Sequence, residues 1–354
     1  MTTTVTALSV PEAGAAFETV DLERRDLRPD DVRIDVSWAG ICHSDIHQAR
    51  DEWGQGIYPM TPGHEIVGTV AEVGSTVTDH AVGDRVGVGC FVDACLECEA
   101  CRDGEEQFCS KGVIQTYSSR GYDGEVTAGG YSQQVVVRDH FVIKVPASYA
   151  DDDLAGVTPL LCAGITTYNP LKRYGVGEGS KVGVIGMGGL GHVAVKIAAA
   201  LGAEVSVLSR TDAKEADGKE FGATHYVATA DESVFDDLAG HFDLLINTVG
   251  DAVDLDAFLG TLGRGGTMVY LGAPSESLDI GAFSLLGMRR AVAGSMVGGL
   301  AQTQEMLDFC AEHDITATVE VISADQVGDY YDKVVAGDVR YRAVIDVATL
   351  GATR

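Results

Sequence analysis

Lysine is scarce in this chain, at 8 of 354 residues, and lysine and arginine together supply 25 cations against 53 acids, a formal net charge of −28. Such a surface repels nucleic-acid phosphates and anionic lipid, so neither class of partner is expected. The acids are scattered, with one dense cluster at Asp151–Asp153, and form no acidic tail. The balance resembles the lysine-poor surfaces of proteins that work in concentrated salt, where screening relieves self-repulsion; an ordinary acidic surface is the alternative. Long apolar runs are also missing. Hydrophobic residues make up 45 % of the chain, yet no stretch approaches the roughly 18–20 residues that span a bilayer. The opening MTTTVTALSVPEAG lacks a basic segment followed by an apolar one, so no secretory leader is expected and the protein reads as cytoplasmic. Cysteine is sparse too, with 8 residues, and a reducing compartment disfavours disulfides. The length is large for one core and suggests two domains.

Half of those few cysteines fall in CLECEACRDGEEQFC, at Cys95, Cys98, Cys101 and Cys109, with spacing C-x2-C-x2-C-x7-C. Four closely spaced thiolates can enclose one ion as a tetrahedral structural zinc site. An iron–sulfur cluster or a redox pair is the alternative, but the ferredoxin pattern ends in C-x3-C-P and this one does not. A nucleic-acid-binding zinc knuckle would carry bases; here Glu97, Glu99, Asp103, Glu105 and Glu106 outnumber Arg102 and Lys111.

Upstream, GICHSDIHQA and TPGHEIVGTV supply Cys42 and His64, and LLCAGITTY supplies Cys162. Two thiolates and an imidazole leave the fourth position of a zinc ion open to water or substrate, the pattern of a catalytic site. Each residue alone has a plainer reading, as a packed thiol or a hydrogen-bonded imidazole. Glu65, directly after His64, could approach the metal when water leaves. Asp45 is suited in sequence to orient a ligand histidine.

The stretch SKVGVIGMGGLGHVAVKIAAALGAEVSVLSR reads as a β–α–β unit. An apolar strand over 182–185 runs into Gly186, Gly188 and Gly191, the G-x-G-x-x-G turn that admits a dinucleotide pyrophosphate, with Gly189 and Leu190 inside it. An alanine-rich helix over 190–201 and a second strand over 205–208 follow. After that strand an NAD site offers a carboxylate to the ribose; this chain offers Ser209 and Arg210, with Lys214 beyond, which suits a 2′-phosphate. NADP(H) is therefore expected over NAD(H), although Asp212 lies among these residues.

Taken together, GICHSDIH, PGHEIVG, VGDRVGVG, the four-cysteine lobe, LLCAGITTY, GMGGLGHVAVKIA and DVRYRAVIDV resemble the zinc-dependent medium-chain alcohol dehydrogenases, and within them the cinnamyl-alcohol-dehydrogenase subfamily. The resemblance implies an α/β two-domain fold: a β-rich GroES-like catalytic domain and a Rossmann coenzyme domain with a doubly wound parallel sheet. It implies two zinc ions per chain. Cys42, His64 and Cys162 would hold the catalytic one with Glu65 as alternate ligand, and Cys95, Cys98, Cys101 and Cys109 the structural one. Ser44 would sit beside the substrate oxygen and His47 would pass its proton outward. His43 would face the cofactor pyrophosphate and Arg342 would reach it too. Thr166, Thr248, Gly272 and Ser295, Met296 and Val297 would line the nicotinamide half. The subfamily also suggests a homodimer.

The expected organisation is a zinc-bearing catalytic domain over residues 1–152 with a lobe at 90–112, a Rossmann domain over 153–297, and a return segment over 298–354. Cys90 and Cys310 read as packing thiols, and Trp53 and Tyr58 as residues of the substrate pocket. The expected reaction is hydride transfer between NADP(H) and a primary aliphatic or aromatic alcohol or its aldehyde, a cinnamyl or benzyl compound among them. A zinc-dependent polyol or sugar dehydrogenase is the nearest alternative, disfavoured by Cys162 where many such enzymes use an acid. A nucleotide-binding relative without catalysis is the other.

Overall fold

The computed structural model describes residues 3–273 and 277–351. The chain divides into two compact units, Met1–Cys162 with Gly298–Arg354, and Ala163–Val297. The first boundary lies at 162/163 rather than at 152/153. The acid cluster Asp151–Asp153 is a short 3-10 turn, and the helix after it, Leu154–Val157, is buried and packs on the strands Asp31–Ile41 and Ile66–Val73. The apolar run LAGVTPLL thus belongs to the first unit's core.

The first unit is β-rich. Its main sheet runs in the order Val319–Ser323, Arg342–Asp346, Asp31–Ile41, Ile66–Val73, Arg85–Val88 and Ile143–Lys144, with Gln134–Arg138 also paired to Asp31–Ile41. Asp31–Ile41 is the hub because DVRIDVSWAGI buries Val32, Ile34, Val36, Ala39 and Ile41, while its backbone serves three neighbouring strands. Burial of each of these valines and isoleucines contributes about 1.5–3 kcal/mol. Cys42 follows the hub strand immediately and caps the helix His43–Ala49. The most central strand of the core thereby fixes the first candidate ligand.

The second unit is a six-stranded parallel sheet in the order His225–Ala228, Glu204–Ser209, Lys181–Ile185, Phe242–Asn247, Leu262–Tyr270, Ala291–Gly294. In chain order this is 3-2-1-4-5-6, the doubly wound Rossmann arrangement expected from the sequence, with its switch point beside the first strand. Val182, Val184 and Ile185 are buried, as a strand covered on both faces requires. Phe242, Leu245, Phe258, Leu259 and Met268 form part of the core under the later strands. The helix after the glycine turn, Gly191–Ala200, buries His192, Val193, Ala194, Val195, Ile197 and Ala198. Among the described residues no helix is long and apolar enough to cross a membrane.

Candidate active site and metal centres

Cys42, His64, Glu65 and Cys162 converge in the first unit: all four are buried, and one ligand atom of each lies within 4.8 Å of the others. Asp45 fixes the geometry from behind. Fully buried, its carboxylate accepts from the Cys42 N–H at 2.9 Å, from the Gly63 N–H at 3.2 Å and from His64 Nδ1 at 3.0 Å. A carboxylate can only accept here, so Nδ1 carries the proton and Nε2 keeps the lone pair that a metal needs. Tyr117 covers the His64 ring, centroids 6.0 Å apart and planes 27° from parallel.

The electrostatics suit a cation. The Cys42 thiol is held well below its ordinary range by a hydrogen bond with Cys162, helped by the positive charge of Arg342 and His64. Burial pushes Glu65 up to about 8 against the opposing pull of Arg342. One Glu65 oxygen is paired with Arg342, while the other, Oε2, is buried with no hydrogen-bond partner among the described residues. Two sulfurs, one imidazole and an orphaned carboxylate oxygen form a donor set that fits zinc with a labile fourth position.

The four lobe thiols form a second cluster, one sulfur of each within 4.8 Å of the others. Cys95 and Cys101 sulfurs are 3.9 Å apart, close to the edge of about 3.8 Å in a tetrahedron with Zn–S near 2.3 Å. All four are free thiols. Backbone N–H groups donate to two of them, Cys95 to Cys109 Sγ at 3.4 Å and Ser110 to Cys98 Sγ at 3.5 Å. The Ser110 N–H is the largest influence bringing Cys98 down to about 6. Burial pushes Cys101 the other way, up to about 12, a cost that a bound cation would offset; four converging sulfurs with no other donor suit a closed structural zinc.

Around the first cluster, Ser44 Oγ lies 3.7 Å from Cys42 Sγ. His47 stands three residues on along the same helix, its Nδ1 paired with Glu52. The rings of His43 and His47 stack at 5.0 Å and those of His47 and Trp53 at 4.9 Å. His43 is exposed. Tyr58 donates its hydroxyl to Gln48 O at 2.7 Å, anchoring its loop. Arg342, carried by resemblance to a pyrophosphate, is instead buried with its guanidinium on Glu65. The register that brings it there joins Arg342–Asp346 to Asp31–Ile41, far apart in sequence. Cys90 is more than a packing thiol: it lies within hydrogen-bond reach of Cys162, whose contact lowers it, though it stands outside the convergent set. Cys310 is fully buried, and burial alone pushes it up to about 12.

The second unit carries the glycine turn. Gly186 has φ +84°, and a Cβ on Gly191 would stand 2.2 Å from Gly186 O, so neither tolerates a side chain. Gly188 is exposed, a Cβ there would meet open space, and Gly189 and Leu190 lead into the helix. The turn therefore keeps a bare backbone in front of a helix N-terminus, which fits a pyrophosphate. Lys214 Nζ donates to Met187 O of the turn at 2.9 Å, bringing a cation there. Ser209 ends the second strand and Arg210 is exposed beyond it. Asp212 is exposed and precedes the helix Glu215–Glu220. Thr248 Oγ1 donates to Ile185 O at 2.9 Å, the Gly272 Cα approaches Val249 O so closely that a Cβ would be 2.0 Å away, and the Ser295 N–H donates to Tyr270 O at 3.2 Å. Asn169 Nδ2 donates to Val297 O at 2.5 Å. Thr166 is buried on Ala163–Arg173, while Met296 is exposed.

A Lewis-acid centre on one unit and a dinucleotide turn on the other define a metal-dependent dehydrogenase. The chain matches the models "Alcohol dehydrogenase GroES-like domain" over residues 28–147 and "Zinc-binding dehydrogenase" over residues 189–312. It is 57 % identical over 343 residues to the "Probable formaldehyde dehydrogenase AdhA" of Bacillus subtilis, covering 97 % of each chain. It is 52 % identical over 348 residues to the "NADP-dependent alcohol dehydrogenase C 1" of Mycolicibacterium smegmatis, covering 98 % of this chain and 99 % of that one. Among solved structures, the cinnamyl alcohol dehydrogenase SbCAD4 of Sorghum bicolor superposes with a TM-score of 0.92 at 40 % identity, covering 98 % of each chain. This chain belongs to the zinc-dependent medium-chain alcohol dehydrogenases, in their cinnamyl-alcohol-dehydrogenase-like branch.

Proposed function

We propose that the chain is an NADP(H)-linked alcohol dehydrogenase and aldehyde reductase that interconverts primary alcohols and aldehydes, aliphatic or aromatic, in the cytoplasm. The observation that carries this reading is the convergence of Cys42, His64 and Cys162 on one buried point, with Asp45 behind the imidazole and an orphaned Glu65 oxygen beside it. Bound there, zinc would polarise the substrate carbonyl as a Lewis acid, and the nicotinamide would carry the hydride.

The chain's own residues do the rest. Cys42, His64 and Cys162 would hold the metal, with Glu65 as the alternate ligand through its unpaired oxygen. Cys95, Cys98, Cys101 and Cys109 hold the lobe's zinc. Ser44 gives or takes the proton of the substrate oxygen, since a hydroxyl can donate and accept together. His47 then exchanges it with solvent, oriented by Glu52. No hydrogen bond joins Ser44 directly to His47 among the described residues, so the relay needs a bridging hydroxyl or water between them. The backbone of Gly186, Gly188, Gly189, Leu190 and Gly191 receives the pyrophosphate, with His43 as a weaker contact. Thr166, Thr248, Gly272, Ser295, Met296 and Val297 surround the nicotinamide half.

Ser209, Arg210 and Lys214 grip the 2′-phosphate. The name of the Mycolicibacterium relative supports that coenzyme choice. Ser209→Asp is expected to lower kcat/KM for NADPH on the order of 100-fold while that for NADH holds or rises, because hydrogen bonds to a charged group are worth roughly 1.5–3 kcal/mol and the new carboxylate repels phosphate. Equal losses with both coenzymes would sink the phosphate-pocket reading.

A homodimer through the second unit completes the proposal. Phe283 and Leu286 on the helix Ala282–Leu286 are 86 % and 71 % exposed, and Ala291–Gly294 is an edge strand of that unit's sheet. Exposed apolar side chains in one unit with an open sheet edge support self-association. Sedimentation at micromolar concentration is expected to give twice the chain mass, and Phe283→Asp to shift it toward one.

A further inference from the structure

Among the described residues three arginines are buried, and two of them face an acid: Arg33 faces Glu72, and Arg342 faces Glu65. Arg24, at the end of the strand Glu18–Arg24, is 8 % exposed and has no carboxylate partner among the described residues. Burial and the neighbouring Arg25 bring it down to about 9, so it remains a cation at neutral pH. A buried cation without a counter-charge is costly, and a protein this rich in acids could have supplied one.

Its hydrogen bonds go instead to one short segment. Nη1 donates to Ala128 O at 2.7 Å, and Nη2 donates to Gly129 O at 2.8 Å and Ser132 Oγ at 2.6 Å. That segment in turn clamps the residues before His64. The Gly129 N–H donates to Thr61 O at 2.8 Å, the Gly130 N–H to Gly63 O at 2.9 Å and the Tyr131 N–H to Pro62 O at 3.0 Å. Gly63, at φ +105°, lies so close to Tyr131 that a Cβ would be 2.6 Å from its ring. Its N–H then shares Asp45 Oδ1 with His64 Nδ1, at 3.2 and 3.0 Å.

An unbroken series of hydrogen bonds and peptide links therefore runs from the Arg24 guanidinium to the ligand imidazole. The cavity of about 350 Å³ beside Arg24 offers no competing role as an anion site. Its other arginines, Arg25, Arg28 and Arg138, are already paired with Asp31, Asp123, and Asp30 and Asp93.

We propose that Arg24 is a positioning residue for the catalytic metal: its planar fork, reaching three acceptors of one loop, fixes the turn that presents His64. Lysine keeps the charge but loses the fork. The proposal rests on the reading of Cys42, His64 and Cys162 as a zinc set, and the test separates the two.

Zinc release from the full-length protein is followed with a chromogenic chelator, the slow and fast phases being assigned with Cys162→Ala, which is expected to keep only the lobe's zinc. Arg24→Lys is expected to release the first-site zinc about tenfold faster, the lower end of the effect of removing a metal ligand's support, with the lobe's zinc unchanged. Ser132→Ala, a milder lesion at the same loop, is expected to move the same phase in the same direction and serves where Arg24→Lys fails to fold. Parental release from the first site in both variants overturns the proposal, as does equal acceleration at both sites, which marks general loosening. A parental protein with zinc in the lobe alone overturns the metal reading itself, and the proposal with it.

Discussion

Cys162→Ala is expected to lower aldehyde reduction by on the order of 10³-fold or more while leaving the fold and one zinc per chain in place. The metal stabilises the charge on the reacting oxygen by several kcal/mol, and each 1.36 kcal/mol is worth tenfold in rate. Removing Cys162 leaves one sulfur and one imidazole from a set whose ligand atoms now converge within 4.8 Å. It also removes the hydrogen bond that holds the Cys42 thiol well below its usual range. Glu65 can offer only its second oxygen, since the first is committed to Arg342 in a buried pair, and one carboxylate oxygen does not replace a thiolate's charge donation to zinc. Metal content by elemental analysis beside steady-state rates checks the point. Two zincs per chain with parental turnover in the variant would remove Cys162 from the catalytic set.

The second large effect is on stability and belongs to the lobe. Cys109→Ala is expected to cost one zinc and lower the unfolding midpoint by about 10 °C, while the surviving folded protein keeps its coenzyme preference. The reason is the poverty of the lobe's own core. Its cysteines lie among exposed and charged residues, and little apolar surface is available to replace a metal whose binding is worth about 10–16 kcal/mol in isolated zinc-finger peptides. A net loss near 4 kcal/mol in a unit of this size shifts the midpoint by that amount. The damage spreads through Glu106, which accepts from His140 Nε2 at 2.9 Å and from the Leu300 N–H at 3.1 Å, tying the lobe to the helix Leu300–Glu312. Calorimetry with zinc stoichiometry decides it. An unchanged midpoint after loss of the lobe's zinc would show that the four thiols do not staple the fold.

What could be read from the sequence depended on how locally each feature is encoded. The lobe and the glycine turn were legible because their chemistry is written in spacings of a few residues. Gly186 and Gly191 are required by a single backbone contact, and Cys95 to Cys109 span one loop. The same turn with its flanking strands marked the dinucleotide unit, while the two-domain fold came from the chain length and the resemblance. The first metal site was legible as a donor set, two thiolates and an imidazole, but its members are scattered and each alone reads as a packed or hydrogen-bonded residue, so the resemblance was needed to join them. The contacts between elements remote in sequence were not legible. Arg342 meets Glu65 across 277 residues because the strand Arg342–Asp346 and the strand that follows Glu65, Ile66–Val73, flank the same hub strand in the sheet. Cys90 meets Cys162, and Tyr117 covers His64, with no periodicity to announce either. The first boundary has the same cause: the burial of Leu154–Val157 against distant strands, which keeps the chain through Cys162 in the first unit, leaves no local mark.

The most direct measurement is the oxidation of NADPH and NADH, followed by absorbance, with benzaldehyde and cinnamaldehyde as substrates. Each sample is assayed as purified, after exhaustive chelation, and after zinc is restored, in low and in molar salt. The account predicts turnover that favours NADPH, falls with the loss of first-site zinc and returns when zinc is added back. Parental aldehyde reduction by protein shown to have lost that zinc would contradict it.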